Sequence, residues 1–322
     1  MTQPPIGEFE RIARFFAPLA APGGLGLTDD AAVIEGPAGF DLILTTDAIV
    51  EGVHFLSDDP PFEIAQKLLR VNLSDLAAKG AAPLGYLLTT ALPKTRDEVW
   101  LERFAAGLAA DQARFGIGLL GGDSVATPGA LTLSLTAIGR VSRGAAVLRR
   151  GARTGDGLYV SGTLGDAALG LRLLRGELPP LQVAASTFLA ERYRLPRPRL
   201  STGRHLVGIA HAMLDISDGL VGDVGHLAKL AGLAVVIESA TIPLSPAFRM
   251  ALAVDRALLA LALTGGDDYE LAFAASLDEA ASLAALDPPC TMIGRFERGE
   301  GVRVIDEQGN PLRLDGEGYR HF

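Results

Sequence analysis

Six carboxylate groupings punctuate the chain, most of them where an apolar run ends: Asp29-Asp30, Asp47, Asp75, Asp123, Asp215 with Asp218, and Asp267-Asp268. Such a pattern suits an α/β architecture, whose apolar strands are buried while their ends gather at the margin where ligands bind. Thr45, Thr46, Ser124 and Ser217 stand beside several of the acids. Carboxylate and hydroxyl oxygens are hard ligands, the kind that Mg²⁺ takes in company with substrate phosphates. The pattern points to a nucleotide enzyme that works with several metal ions.

With 322 residues and 48% hydrophobic content, the chain has material for one large or two ordinary domains with a proper core. A formal charge of −9 argues against a nucleic-acid partner, since sequence-independent binders need clustered Lys and Arg. Apolar stretches such as Leu258–Leu263 fall far short of a bilayer span, and Met1–Glu10 lacks the basic-then-apolar order of a secretory signal. The expectation is a soluble, cytoplasmic protein with no membrane partner. The sole cysteine, Cys290, excludes an intrachain disulfide and reads as a small buried hydrophobe. Arg149-Arg150, Arg153, Arg197 and Arg199 suit bidentate phosphate binding and ordinary surface charge equally well.

Periodicity predicts a short helix over 9–16, a strand over 41–47, a helix over 62–79 entered through Pro61 and stopped by Gly80, a strand over 84–92 and a helix over 97–115. Strands over 117–120 and 131–141 complete the first half. Asn72 and Asp75, three apart, share a helix face. The loop from Gly151 separates residues 1–150 from 151–322, taken as two domains. The second opens with a strand over 158–161 and a helix from Asp166, and later strands are expected at 233–238, 271–275, 292–296 and 302–305. Leu195-Pro-Arg-Pro-Arg is a stiff extended link. Leu-Leu-Gly-Gly-Asp123 and Leu-Thr-Gly-Gly-Asp267 look like one device used twice, an apolar strand running into a glycine pair with Asp at its tip.

P-loop, dinucleotide-fold, zinc-spacing and Gly-x-Ser-x-Gly signatures are all missing. Each acid alone has an ordinary explanation as a turn, a helix cap or a solvated residue. Their joint placement does not.

Five motifs in order carry a resemblance. They are Thr45-Thr-Asp-Ala-Ile-Val-Glu-Gly-Val-His-Phe55, Val71-Asn-Leu-Ser-Asp-Leu-Ala-Ala-Lys-Gly-Ala-Ala-Pro83, Leu120-Gly-Gly-Asp-Ser124, Asp215-Ile-Ser-Asp-Gly-Leu220 and Gly266-Asp-Asp-Tyr-Glu-Leu271. Over essentially the full chain it resembles the thiamine-monophosphate kinases, of the aminoimidazole ribonucleotide synthetase and selenophosphate synthetase superfamily. The resemblance implies an α/β (α+β) two-domain synthetase-like fold. Its N-terminal mixed sheet with helices would form a homodimer interface, and a C-terminal α/β domain would complete the active site. It implies ATP as co-substrate, several Mg²⁺ ions and thiamine monophosphate as acceptor. It further implies metal ligands at Asp30, Thr45, Thr46, Asp47, Asp75, Asp123, Asp215 and Asp218. ATP contacts would come from Gly122, Asp123, Arg149 and Ser217, and substrate contacts from His54, Asp267 and Tyr319.

Three positions depart from the family pattern: Thr28 stands for a usual Gly, Asp267 for a usual Glu, and Lys79, expected on an exposed part of its helix, for an apolar residue. Selenophosphate synthesis is disfavoured because no Cys lies in the N-terminal glycine-rich loop, and a hydrogenase-maturation relative would end in Cys, whereas this chain ends in His321-Phe322. Direct transfer without a phosphoenzyme is expected, His54 acting as a hydrogen-bond donor.

Overall fold

The computed structural model describes residues 12–21, 38–314, 316 and 318. They divide into two compact units: one runs up to Leu76 and includes Ala82–Gly144, the other comprises Ala77–Ala81 and the residues from Ala145 onward.

The first unit is built on β1 (Phe40–Val50), α1 (Pro61–Ala78), β2 (Ala82–Pro93), α2 (Glu98–Phe115), β3 (Gly118–Thr127) and β4 (Thr132–Ser142). The sheet order is β1-β4-β2-β3. β4 pairs antiparallel with both β1 and β2, while β2 and β3 are parallel and joined through α2. Pro61 opens α1, where its fixed φ and missing N–H cost nothing. Asp97 caps α2 by accepting from Trp100 N–H. From Ile64 to Ala78 every residue of α1 is buried except Asp75. Two of the buried polar side chains of α1 share one partner: Arg70 and Gln66 both donate to Asp111 of α2, at 2.6 and 2.8 Å. Such a buried pair fixes how two helices meet more than it adds net stability.

Two expectations are corrected here. Asp47 and Asp123 lie inside β1 and β3, not at strand tips, because both strands run on past their acids. Lys79 lies just beyond α1, half-buried, in the turn whose main chain meets Val147 N–H. Of the expected first helix, residues 9–11 lie outside the described residues, and Ile12–Phe16 forms a single wide turn.

The second unit contains β5 (Gly157–Ser161), α3 (Asp166–Leu174), α4 (Val183–Arg194), α5 (Leu200–His205), β6 (Ala212–Asp215), α6 (Leu220–Ala231), β7 (Ala234–Glu238), α7 (Pro246–Val254), α8 (Leu259–Thr264), β8 (Leu271–Ala275), α9 (Ala280–Ala284), β9 (Cys290–Glu297) and β10 (Gly301–Ile305). The six strands run β10-β7-β9-β5-β8-β6, antiparallel except for the β10/β7 pair. Leu158, Val160, Leu214, Ala272, Ala274 and Ile293 of the sheet pack with Leu169, Leu189, Leu220, Val224, Leu227 and Phe248 of the helices in one apolar cluster. Cys290 of β9 is buried at 2% exposure, and burial pushes its thiol pKa up to about 12, in keeping with the expected small buried hydrophobe.

The run before Gly265-Gly266-Asp267 is helix α8, not the strand expected from its likeness to the run before Asp123. Its Leu-Ala-Leu-Ala composition favours helix, and no neighbouring strand claims it.

Candidate functional site

In the first unit, Thr45 and Asp47 project to one face of β1 because strand side chains alternate. α1 covers that face: the Thr45 hydroxyl donates to Asp75 Oδ2 at 2.5 Å, and Asn72 Oδ1 accepts from Asp47 N–H at 3.1 Å. The face shared by Asn72 and Asp75 is therefore the one turned to β1.

Thr46 faces the other way, exposed and bonded to the Thr136 hydroxyl of β4 at 3.1 Å. Asp123 is also on this open face. It stands in register with exposed Thr89, whereas its neighbour Ser124 is buried and accepts from the Thr90 hydroxyl at 3.0 Å. Two strands separate β1 from β3, about 14 Å at ordinary strand spacing. Thr45, Asp47 and Asp75 thus form one oxygen set, and Asp123 stands apart from it. Beside Asp123, a side chain on Gly122 would place its Cβ 1.7 Å from the Leu88 carbonyl oxygen, so only glycine lets β3 lie this close to β2.

His54 sits in the turn after β1. Its Nδ1 accepts from Val50 N–H at 3.0 Å, which assigns the ring proton of the neutral form to Nε2, and buried Lys67 donates to its carbonyl oxygen. Asp30 and Tyr319 lie outside the described residues.

In the second unit, Asp215 ends β6, and Ser217 and Asp218 occupy the loop between β6 and α6. A second loop, Gly265 to Glu270, is clipped to it: Asp267 N–H donates to the Ser217 carbonyl and Tyr269 N–H to the Ile216 carbonyl, both at 2.8 Å, and Ile216 N–H to the Glu270 carbonyl. A Cβ on Gly266 would lie 2.5 Å from the Ser217 oxygen. Asp267 and Tyr269 carry φ of 69° and 50°, the left-handed region that side chains other than Asn, Asp and Gly seldom adopt, and the Tyr269 hydroxyl donates to Asp267 Oδ1 at 3.2 Å. Arg149 is exposed on the segment beside β6, where Met213 N–H donates to the Leu148 carbonyl.

The oxygen sets suit Mg²⁺ in kind, being carboxylates and hydroxyls without His or Cys. Among the described residues no three His, Cys, Asp or Glu side chains converge as a ready metal cage. One or two carboxylates per ion, completed by water and substrate phosphate, is the usual Mg²⁺ arrangement.

Residues 28–141 match the model for the N-terminal domain of AIR synthase related proteins. The thiamine-monophosphate kinase of Caulobacter vibrioides is 44% identical over 92% of this chain and 86% of its own length. The chain belongs to the thiamine-monophosphate kinase family. The crystal structure of the thiamine-monophosphate kinase from Stenotrophomonas maltophilia K279a superposes with a TM-score of 0.81 at 42% identity, over 88% of this chain and 90% of that one. AaThiL complexed with AMPPCP and TMP superposes at 0.80 and 34% identity, over 91% of each chain.

Sequence reasoning missed the roles of three buried acids, two inside the Gly266–Leu271 motif and one just after the Asp215–Leu220 motif. Glu270 of the Gly-Asp-Asp-Tyr-Glu run is wholly buried and accepts from Ser161 at 2.6 Å, from Arg192 at 3.0 Å and from two nitrogens of Arg199. Arg199 is therefore committed to a buried partner, whereas Arg197 pairs with Glu191 at the surface. Asp268 is buried too, taking Gly165 N–H on both oxygens, and burial pushes its pKa well above the carboxylate range. Asp223 of α6 accepts three main-chain N–H groups of the Asp215–Gly219 loop, and burial raises its pKa to about 6. For Asp223 the one available signal was an acid placed inside the otherwise apolar run Leu220–Val224.

Proposed function

We propose that this chain transfers the γ-phosphoryl group of ATP to the phosphate of thiamine monophosphate, giving thiamine diphosphate and ADP, with Mg²⁺ and as a cytoplasmic homodimer. The observation that carries this reading is the likeness, over 91% of both chains, to a protein complexed with AMPPCP and TMP. Every acid of the family motifs apart from the Glu-to-Asp exchange at Asp267 is also present in this sequence.

A phosphate monoester has its second pKa at about 6, so the acceptor oxygen is ionised at neutral pH and needs no general base. The obstacle is repulsion between two anions. Bound Mg²⁺ supplies charge neutralisation at both phosphates and at the leaving ADP. Thr45, Asp47 and Asp75, with Asp30, Thr46, Asp123, Asp215 and Asp218, would hold the ions. Gly122, Asp123, Arg149 and Ser217 would contact ATP, Arg149 as a bidentate donor. His54, with its proton on Nε2, would donate to the acceptor phosphate, and Asp267 and Tyr319 would contact the substrate. None of these side chains forms a covalent bond to phosphorus in this mechanism.

In this reading residues 1–150 serve metal binding and dimerisation, and 151–322 supply the remaining nucleotide and substrate contacts. The open face of the first unit supports a dimer: Phe40, Leu42, Leu44, Leu87 and Val125 are all exposed on it. Purified protein incubated with ATP, Mg²⁺ and thiamine monophosphate should yield thiamine diphosphate and ADP in equal amounts by chromatography. ADP without thiamine diphosphate would overturn the assignment.

A further inference from the structure

Asp223 Oδ2 lies 3.1 Å from each of three successive main-chain nitrogens, those of Ser217, Asp218 and Gly219. These N–H groups immediately precede α6, a twelve-residue helix beginning at Leu220. Donors at such a place usually make an anion site, since successive N–H groups form a concave nest and the helix dipole adds positive potential. Here the nest is filled by a carboxylate from the first turn of the same helix, only 7% exposed. With those donors taken, the loop is left with the Asp218 carboxylate, the Ser217 hydroxyl and, at the end of β6, Asp215.

We infer that Asp223 is a positioning residue that fixes the polarity of this loop: by occupying the main-chain nest it bars direct phosphate binding there and leaves the loop to receive a cation that carries the phosphate. This rests on the nucleotide-kinase reading. A phosphate entering the nest would have to displace three hydrogen bonds and face the like charges of Asp215, Asp218 and Asp223. A divalent ion meets only attraction from those acids.

The test is binding, followed at the Ser217, Asp218 and Gly219 amide resonances and by calorimetry, with inorganic phosphate and AMPPCP as probes. In the unsubstituted protein, phosphate or AMPPCP without metal should leave those amides unmoved, and AMPPCP should bind when Mg²⁺ is added. Asp223→Ala should weaken Mg²⁺-dependent AMPPCP binding by about tenfold or more and gain metal-free phosphate binding at the freed amides. Asp223→Asn keeps an oxygen acceptor and should recover most of that affinity, with its loss in turnover appearing mainly in KM for ATP. Metal-free phosphate shifting the three amides in the unsubstituted protein, or an Asp223→Asn protein as impaired as Asp223→Ala, would overturn the inference. So would Asp223→Ala binding AMPPCP and Mg²⁺ normally. Should Asp223→Ala not fold, the unsubstituted protein and Asp223→Asn decide. The amide shifts and the calorimetry require no turnover of thiamine monophosphate, so their failure is distinct from failure of the kinase assignment, which the product assay decides.

Discussion

The Thr45 hydroxyl donates to Asp75 across 2.5 Å, joining the middle of β1 to the last turns of α1 at the single residue of Ile64–Ala78 that is not buried. An acid kept accessible on a helix otherwise covered throughout, with a hydroxyl turned to it, is an arrangement for a ligand more than for stability. Asp75→Asn should leave folding intact and lower turnover by orders of magnitude, with the loss deepest at limiting Mg²⁺. A steady-state titration of Mg²⁺ against rate checks this, and near-normal activity at limiting metal would remove Asp75 from the ligand set.

Asp123 lies on the opposite face of the same sheet from Asp75, so the two acids belong to different ions in the proposed mechanism. Changes at sites with no shared partner add. The free-energy cost of Asp75→Asn combined with Asp123→Asn should equal the sum of the single costs to within about 0.5 kcal/mol in kcat/KM. A larger coupling in a double-mutant cycle would mean that one ion is shared.

Leu44, at 64% exposure, stands on the open face between Leu42 and Thr46. If that face pairs with a second copy, Leu44→Asp would bury a charge without a partner and should shift sedimentation at micromolar concentration from dimer to monomer. A parent protein that is already a stable monomer would sink the dimer.

Val50 N–H fixes His54 as a donor through Nε2. Replacing His54 with Gln preserves a donor, so measurable kinase activity should persist. The cost should be about 1–3 kcal/mol in kcat/KM for thiamine monophosphate, one charge-assisted hydrogen bond. Incubation with γ-labelled ATP in the absence of acceptor should leave the protein unlabelled. An acid-labile label lost with His54 would establish a phosphohistidine instead.

Asp268 and Glu270 are buried two residues apart yet should respond oppositely to amidation. Burial holds Asp268 toward its neutral form, which Asn imitates, so Asp268→Asn should cost within about 1 kcal/mol. Glu270→Gln strips the counter-charge from Arg192 and Arg199 and should cost about 3–5 kcal/mol in urea unfolding. The pH dependence follows from the raised pKa. The folded state holds a proton that the unfolded chain releases near the ordinary Asp value, so the Asp268 contribution is full below that value and is lost as pH rises through the folded pKa. Asp268→Asn should therefore gain stability relative to the parent as pH rises from acid toward neutral.

Much of this protein was written locally. Alternating and continuous apolar runs marked strands such as β4 and β8, helical spacing with Pro61 at its start marked α1, and the Asn72–Asp75 spacing put both on the face that meets β1. The ordered motifs identified the family because they record chemistry residue by residue. Tertiary structure alone decided which acids stand together. Strand alternation turns Thr45 and Asp47 to α1 but Thr46 and Asp123 to the open face, and this depends on the pairing register of four strands far apart in sequence. The same holds for α8, whose likeness to the run before Asp123 suggested a strand, and for Asp223 and Glu270. The guanidinium partners of Glu270 are brought close only by folding, the N–H partners of Asp223 lie four to six residues before it, and no local pattern distinguishes a carboxylate that will hold a ligand from one that will hold a loop.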